Sequence, residues 1–204
     1  MKVNYRPATA ADSRFIANMI DISSDGIATL EWQQECDEQA GQTALDVGSE
    51  WYARDQGDYS YRNCLIAESE QHPVGMILSF PITRENCSKD AKPPPYDADD
   101  VYGPYKYLEA VDSWYICGVT VIPEFRKRGI GEELIKRSME EGKKRGYSNV
   151  SLIAVYGKER LIAYYQSLGF AITLRAPIVE HPGIRVTGDV VLMETQPGNA
   201  AASL

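Results

Sequence analysis

The chain has 204 residues, 44 % of them hydrophobic and 25 % charged, with a net charge of -8 and four cysteines. That is the length and composition of one ordinary globular domain able to bury a sizeable core. The negative balance disfavours a globally basic nucleic-acid binder, and no uncharged apolar run approaches the ~20 residues of a membrane span.

At the N-terminal end, Arg6, Asp12, Arg14, Asp21 and Asp25 leave no room for the apolar stretch of a signal peptide, so a cytoplasmic protein with no membrane or nucleic-acid partner is expected. Residues 3–8 read as a short strand. Thr9 to Asp12 offer caps for a helix whose apolar face runs through Phe15, Ile16, Met19 and Ile20 toward Ile27. Residues 28–58 read as further helix with acidic, glycine-marked turns. Cys64–Glu68 and Val74–Phe80 are apolar runs around Ser69-Glu70-Gln71-His72, which predicts a hairpin with a loop longer than two residues.

Residues 81–113 break the pattern. Pro93-Pro94-Pro95 lies in an acidic stretch with Tyr96, Tyr102, Tyr105 and Tyr107, and an insertion this long in a compact domain is functional or mobile. Trp114–Ile122 is the clearest strand, stopped by Pro123. Glu132–Arg145 is the clearest helix, with Leu134, Ile135, Ser138 and Met139 inward, five cations outward and Gly146 as its stop. Val150–Val155 predicts a strand and Glu159–Leu168 a short helix ended by Gly169. Phe170–Leu174 and Val190–Met193 predict the last strands, and residues 195–204 a frayed tail.

Two further features bear on function. Cys36, Cys64, Cys87 and Cys117 form no Cys-x-x-Cys pair, and His72 and His181 are turn-like residues before prolines. Free buried thiols and no metal site are expected. Residues 1–113 hold nine basic and twenty acidic side chains, residues 114–204 twelve and nine. The acidic half suits cationic partners and the basic half anionic ones.

One segment carries chemistry: Val119-Thr-Val-Ile-Pro-Glu-Phe-Arg126-Lys127-Arg128-Gly129-Ile130-Gly131. A strand runs into a cation-rich turn, two glycines and a helix start. A helix N-terminus presents unpaired N–H groups at the positive end of its dipole. Glycines let backbone approach a ligand, so the segment is a natural diphosphate site. No Gly-Lys-Ser/Thr follows, so it is not a P-loop. Leu134 stands where a dinucleotide fingerprint needs its third glycine. The same segment also reads as a solvated basic turn capping an ordinary crossover.

Arg126-x-x-Gly129-x-Gly131 after a strand resembles the acetyl-CoA signature of the GNAT superfamily of N-acetyltransferases. Ala163-Tyr-Tyr165-Gln-Ser-Leu-Gly169-Phe170 resembles that superfamily's Tyr-x-x-x-Gly-Phe segment. The resemblance implies an α/β (α+β) fold over residues 1–194, a mixed, twisted sheet of about six to seven strands flanked by helices. The acceptor side would lie mainly in 1–113 and the acetyl-CoA side mainly in 114–170. It implies that Val119, Thr120 and Val121 line the pantetheine arm and that Arg126, Lys127, Arg128, Gly129, Ile130 and Gly131 hold the diphosphate. Lys158, where the family often has asparagine, implies a phosphate or pantetheine contact of different geometry. Tyr165 would donate to the leaving thiolate, or protonate it if Lys158 and Arg160 lowered its pKa; alternatively it is a packed core aromatic.

The acceptor amine needs a base, and Trp114–Ile122 offers no carboxylate. Glu109, Asp112, Glu31 and Glu35 are the candidates. The acidic, tyrosine-rich acceptor regions suit a small cationic amine taking acetyl from acetyl-CoA directly in a ternary complex. Alternatives are a non-catalytic acyl-CoA-binding module, a protein lysine or N-terminal acetyltransferase, transfer of a longer acyl group, or an interaction domain of another fold. The resemblance is also compatible with a homodimer.

Overall fold

Alternating apolar residues and helical periodicity resolve into one chain order. The computed structural model describes residues 2–37 and 39–195. The elements are β1 (Val3–Pro7), α1 (Ser13–Ser23), α2 (Ile27–Gln34), α3 (Ala44–Tyr52), β2 (Cys64–Ser69), β3 (His72–Ile82), α4 (Gly103–Tyr107) and β4 (Ser113–Val121), followed by α5 (Ile130–Lys144), β5 (Val150–Val155), α6 (Glu159–Ser167), β6 (Phe170–Pro177) and β7 (Asp189–Thr195). Short 3-10 turns occupy Ala10–Asp12, Tyr61–Asn63 and Pro123–Phe125.

The strands form one seven-stranded mixed sheet in the order β1-β2-β3-β4-β5-β7-β6. β4 and β5 run parallel, which requires the crossover that α5 supplies. The other registered pairs are antiparallel. Contacts divide the chain into two compact units, one of Met1–Phe80 with Cys117–Ser138, the other of Pro81–Ile116 with Met139–Leu204.

In the first unit α1 buries Ile16, Ala17, Met19 and Ile20. The Arg6 guanidinium ties β1 to the following turn through Asp12 at 2.9 Å and to β2 through Glu68 at 2.7 Å. A capping box opens α3: Thr43 Oγ1 accepts from Asp46 N and the Asp46 carboxylate accepts from Thr43 N at 3.0 Å. The hairpin differs from expectation. β2 and β3 run to Ser69 and from His72, so the loop is Glu70-Gln71 alone, with φ of 50° and 64°. Two successive left-handed residues match the twist of the flanking strands, which is how a two-residue connection closes.

In the second unit β4 and β5 are cross-linked by Ser113 Oγ and Ser151 Oγ at 2.6 Å, and Trp114 packs 6.0 Å from Tyr147. The insertion at 81–113 contains α4 and a buried Leu108, and Lys106 pairs with Asp90 at 2.7 Å. Thr195, expected in the tail, belongs to β7, and its Oγ1 accepts from Val150 N at 2.9 Å. The rest of the expected tail, 196–204, lies outside the described residues.

All four cysteines are free, but only Cys64 is buried; Cys36, Cys87 and Cys117 are half-buried, against the expectation for all four. Among the described residues no helix is long and apolar enough to cross a membrane, and no group of three or more His, Cys, Asp or Glu could hold a metal ion.

Candidate active site

In the first unit β4 is anchored from one side by α1. Thr120 Oγ1 donates to Met19 O at 3.0 Å, and a Cβ at Gly118 would stand 2.8 Å from Ile20 Cδ1 and Ser23 Oγ. The glycine therefore lets helix and strand come into direct contact. Val119 and Val121 are half-buried.

Beyond Val121 the chain makes the 3-10 turn Pro123–Phe125 and then the cationic loop. Arg126 folds back, its Nε donating to Val121 O at 2.8 Å. An Arg128 Nη donates to Glu124 O at 2.9 Å while its guanidinium lies 5.2 Å over the Phe125 ring. Lys127 at φ 60° and Gly129 at φ 78° take left-handed backbone, and buried Ile130 anchors the start of α5. Arg126 was expected on the diphosphate. Its Nε braces the exit of β4.

The first backbone bond into α5 is Glu133 N to Gly129 O at 3.0 Å. The N–H groups of Gly129, Ile130, Gly131 and Glu132 have no backbone acceptor among the described residues. The two glycines of the motif have different causes. Gly129 has a φ that side chains rarely adopt. Gly131 is helical, and a Cβ there would meet only Val121 Cγ2, at an ordinary 3.8 Å. The fold itself has no need of a glycine at 131, and a helical glycine costs up to ~1 kcal/mol against alanine.

In the second unit Tyr165 lies on α6, 8 % exposed, its ring 6.0 Å from Phe170 and 5.7 Å from Tyr164. Gly169 at φ 93° ends that helix, so the glycine of the motif is a C-terminal stop. The Tyr165 hydroxyl has no hydrogen-bond partner among the described residues. Burial pushes its pKa well above the ordinary value, with Tyr164 adding to the effect. The lowering expected from Lys158 and Arg160 is absent because both are exposed while Tyr165 is buried. Lys158 caps α6 through its backbone, accepting from Ile162 N at 3.0 Å.

The base candidates have different surroundings. Both Glu109 oxygens hold Ser88, one accepting from its N at 2.6 Å and the other from its Oγ at 2.9 Å. Asp112 is exposed at φ 61° and faces Arg84 at 3.9 Å. Glu35 is exposed and accepts from Trp51 Nε1 at 2.8 Å. Glu31, half-buried on α2, acts on β4. Burial first, then Glu31 and Asp58, push the Cys117 thiol up to about 12. Tyr52 is also raised, by burial and then by Cys117, Tyr59, Cys64 and Glu31. The first unit thus gathers Val119–Val121, the 126–131 loop and Glu31, while Tyr165, Lys158, Glu109 and Asp112 belong to the second.

The model of the GNAT acetyltransferase family matches residues 27–170. The chain belongs to the GNAT family. Solved structures similar to this GNAT chain include a crystal structure of an acetyltransferase, 19 % identical with a TM-score of 0.64 over 95 % of this chain and 99 % of that one. An N-acetyltransferase from Staphylococcus aureus Mu50 is 15 % identical with a TM-score of 0.59, covering 94 % and 100 %. The ribosomal-protein-S18-alanine N-acetyltransferase from Escherichia coli is 14 % identical with a TM-score of 0.58, covering 100 % and 99 %. At these identities the likeness is one of fold. No curated protein sequence matches the chain.

As a GNAT member the chain is an acetyltransferase, and the family takes its acetyl group from acetyl-CoA. The 126–131 loop fits the diphosphate of that molecule: it offers adjacent N–H groups at a helix start and a glycine that no protein contact demands.

Proposed function

We propose that this GNAT enzyme transfers the acetyl group of acetyl-CoA to a primary amine of a small cationic metabolite, by direct attack in a ternary complex. Gly131 carries the cofactor half of the reading. It is a glycine whose missing Cβ leaves room for something other than protein, beside N–H groups that lack backbone acceptors.

When bound, acetyl-CoA supplies a thioester carbonyl open to an amine. The amides from Gly129 to Glu132 and the cations of Lys127 and Arg128 hold its diphosphate. Val119, Thr120 and Val121 offer strand backbone to the pantetheine arm, with Arg126 bracing that strand's end. Lys158 contributes a second phosphate or pantetheine contact. The β4 amide near Val119 polarises the thioester carbonyl.

Tyr165, assigned by its motif, donates a hydrogen bond to the leaving thiolate. An ordinary thiol titrates at about 8.5 and tyrosine at about 10, so full proton transfer from tyrosine is uphill by ~2 kcal/mol. Burial makes it harder still. Tyr165 therefore stabilises the thiolate by donation. An acyl-enzyme on Cys117 is disfavoured because a thiol pushed up to about 12 holds almost no thiolate at neutral pH. The nitrogen loses two protons per turnover: a base takes the first before attack, and the second ends on the sulfur.

The acidic acceptor half supports a cationic acceptor. The test follows thiol release with acetyl-CoA and a panel of amines, with mass spectrometry of the products. Acetylation of small cationic amines is expected. Turnover of anionic amines alone, or of peptide N-termini alone, would contradict the assigned acceptor.

A further inference from the structure

Along β4 the positions Trp114, Ile116, Gly118 and Thr120 are buried, with half-buried residues between them. Next to Val119 and Val121 the buried face thus carries no side chain at one position and a hydroxyl at the other. Packing alone would be served as well by an apolar side chain of the same shape, since a satisfied buried hydroxyl adds little net stability. What a hydroxyl adds is direction.

That direction is used on α1. Thr120 is 7 % exposed, and its Oγ1 donates to Met19 O at 3.0 Å. Met19 lies inside α1, and a carbonyl has two lone pairs, so it accepts from Thr120 without leaving the helix. The bare backbone of Gly118 admits Ile20 Cδ1 and Ser23 Oγ, each 2.8 Å from where a Cβ would stand. Two other neighbours hold the same stretch. On β3, a Cβ at Gly75 would stand 3.1 Å from Thr120 O and from Val121 Cγ2, and Ile122 N donates to Val74 O at 2.9 Å. Beyond the strand, Arg126 Nε donates to Val121 O at 2.8 Å. Apolar contacts are non-directional and let a strand slide along a helix, whereas a hydrogen bond fixes its place.

We infer that Thr120 is a positioning residue for acetyl transfer: its hydroxyl, anchored on Met19 O, sets the place along α1 at which the Val119–Val121 backbone meets the thioester. The inference rests on the acetyl-transfer reading above, in which the β4 amide near Val119 polarises the thioester carbonyl. The Thr120 side chain touches neither acetyl-CoA nor the amine; it acts through the backbone of Val119 and Val121. A donor aimed at a reacting oxygen works over about 2.7–3.1 Å, and a misplacement of about 1 Å costs on the order of a hundredfold in rate. The diphosphate loop does not depend on this contact. It is held separately, by buried Ile130 and by the left-handed backbone of Lys127 and Gly129.

The test compares the full chain with Thr120→Val, which keeps the shape and removes the donor, and with Thr120→Ser, which keeps the donor and removes a methyl group. Infrared spectra of bound acetyl-CoA, isotope-labelled at the thioester carbonyl, report polarisation. Calorimetry with CoA reports the diphosphate site, and thermal melts report stability. None of these readouts needs the acceptor. In the unaltered chain the carbonyl stretch should lie below that of free acetyl-CoA. Thr120→Val should lose most of that shift and Thr120→Ser should keep most of it, with CoA affinity within about threefold in both. Stability should rank the other way, with Thr120→Val melting at or above Thr120→Ser, because valine fills the site and suits a strand. A full shift in Thr120→Val, a shift that follows the melting order, or loss of CoA affinity together with the shift would make Thr120 a packing residue and overturn the inference. An unaltered chain that binds acetyl-CoA without shifting its carbonyl would remove the polarising amide and the inference with it. No acetyl-CoA binding by the unaltered chain would overturn the acetyl-transfer reading as well.

Discussion

The two glycines of the cofactor loop look alike in sequence and differ physically. Gly129 is fixed by a left-handed φ of 78°, where a side chain costs about 1–2 kcal/mol. Gly131 has helical backbone and room for a methyl group. Gly129→Ala should therefore lower the melting temperature, while Gly131→Ala should leave it unchanged or raise it by the equivalent of up to ~1 kcal/mol. Paired thermal melts check this; equal destabilisation would contradict the geometry. At Tyr165 the hydroxyl is buried and its pKa is raised. Removing a hydrogen bond to a charged partner costs about 1.5–3 kcal/mol. Tyr165→Phe should thus lower kcat by about ten- to a hundredfold with acetyl-CoA affinity intact. Equal losses in both would make Tyr165 a binding residue.

At the scale of elements, the segments read most clearly from sequence are those decided by local pattern. β5 spans Val150–Val155 as predicted, β4 is displaced by one residue at each end, and α5 begins two residues early because Ile130 is pulled into the core. β3 runs past the apolar segment Val74–Phe80 at both ends, through Pro73 and Pro81, which fall near strand ends where a missing N–H is tolerated. The tight hairpin loop carries no sequence signal because neither Glu70 nor Gln71 is a residue that favours positive φ. Replacing the pair by Asn-Gly should stabilise the chain by about 1 kcal/mol or more, raising the urea midpoint. At the start of α3, Thr43→Ala should cost about 1 kcal/mol by the same measurement. The site was legible to the same extent as the fold. The 119–131 segment is contiguous, so its chemistry shows in one stretch of sequence. The surroundings of the candidate base Glu109 depend on Ser88, twenty-one residues away in the chain, and no local pattern joins them.

Over the whole molecule, acidic and buried groups set opposite limits on stability. Hydrogen bonding to the Arg6 guanidinium holds Asp12 below its ordinary value, and hydrogen bonding to Thr43 does the same for Asp46. A carboxyl lowered on folding contributes stability that is present above its unfolded pKa of about 4 and is lost as pH falls through the lower folded value. Burial raises Cys64, Tyr52 and Tyr165. Their contribution is present below the unfolded values of about 8.5 for thiols and 10 for tyrosines, and is lost as pH rises through the folded ones. Urea midpoints should therefore form a plateau between about pH 5 and 8, falling on both sides. A midpoint still rising beyond pH 9 would contradict the burial of these groups.

The most direct test of the account is a calorimetric titration of the chain with acetyl-CoA, repeated with Gly131→Ala. Binding by the unaltered chain, weakened at least about tenfold in a variant with an undiminished melting temperature, is predicted, because the added methyl group would fill space reserved for the ligand. Absent binding, or equal binding by both proteins, would mean that the loop is only a crossover connection and would contradict the cofactor site.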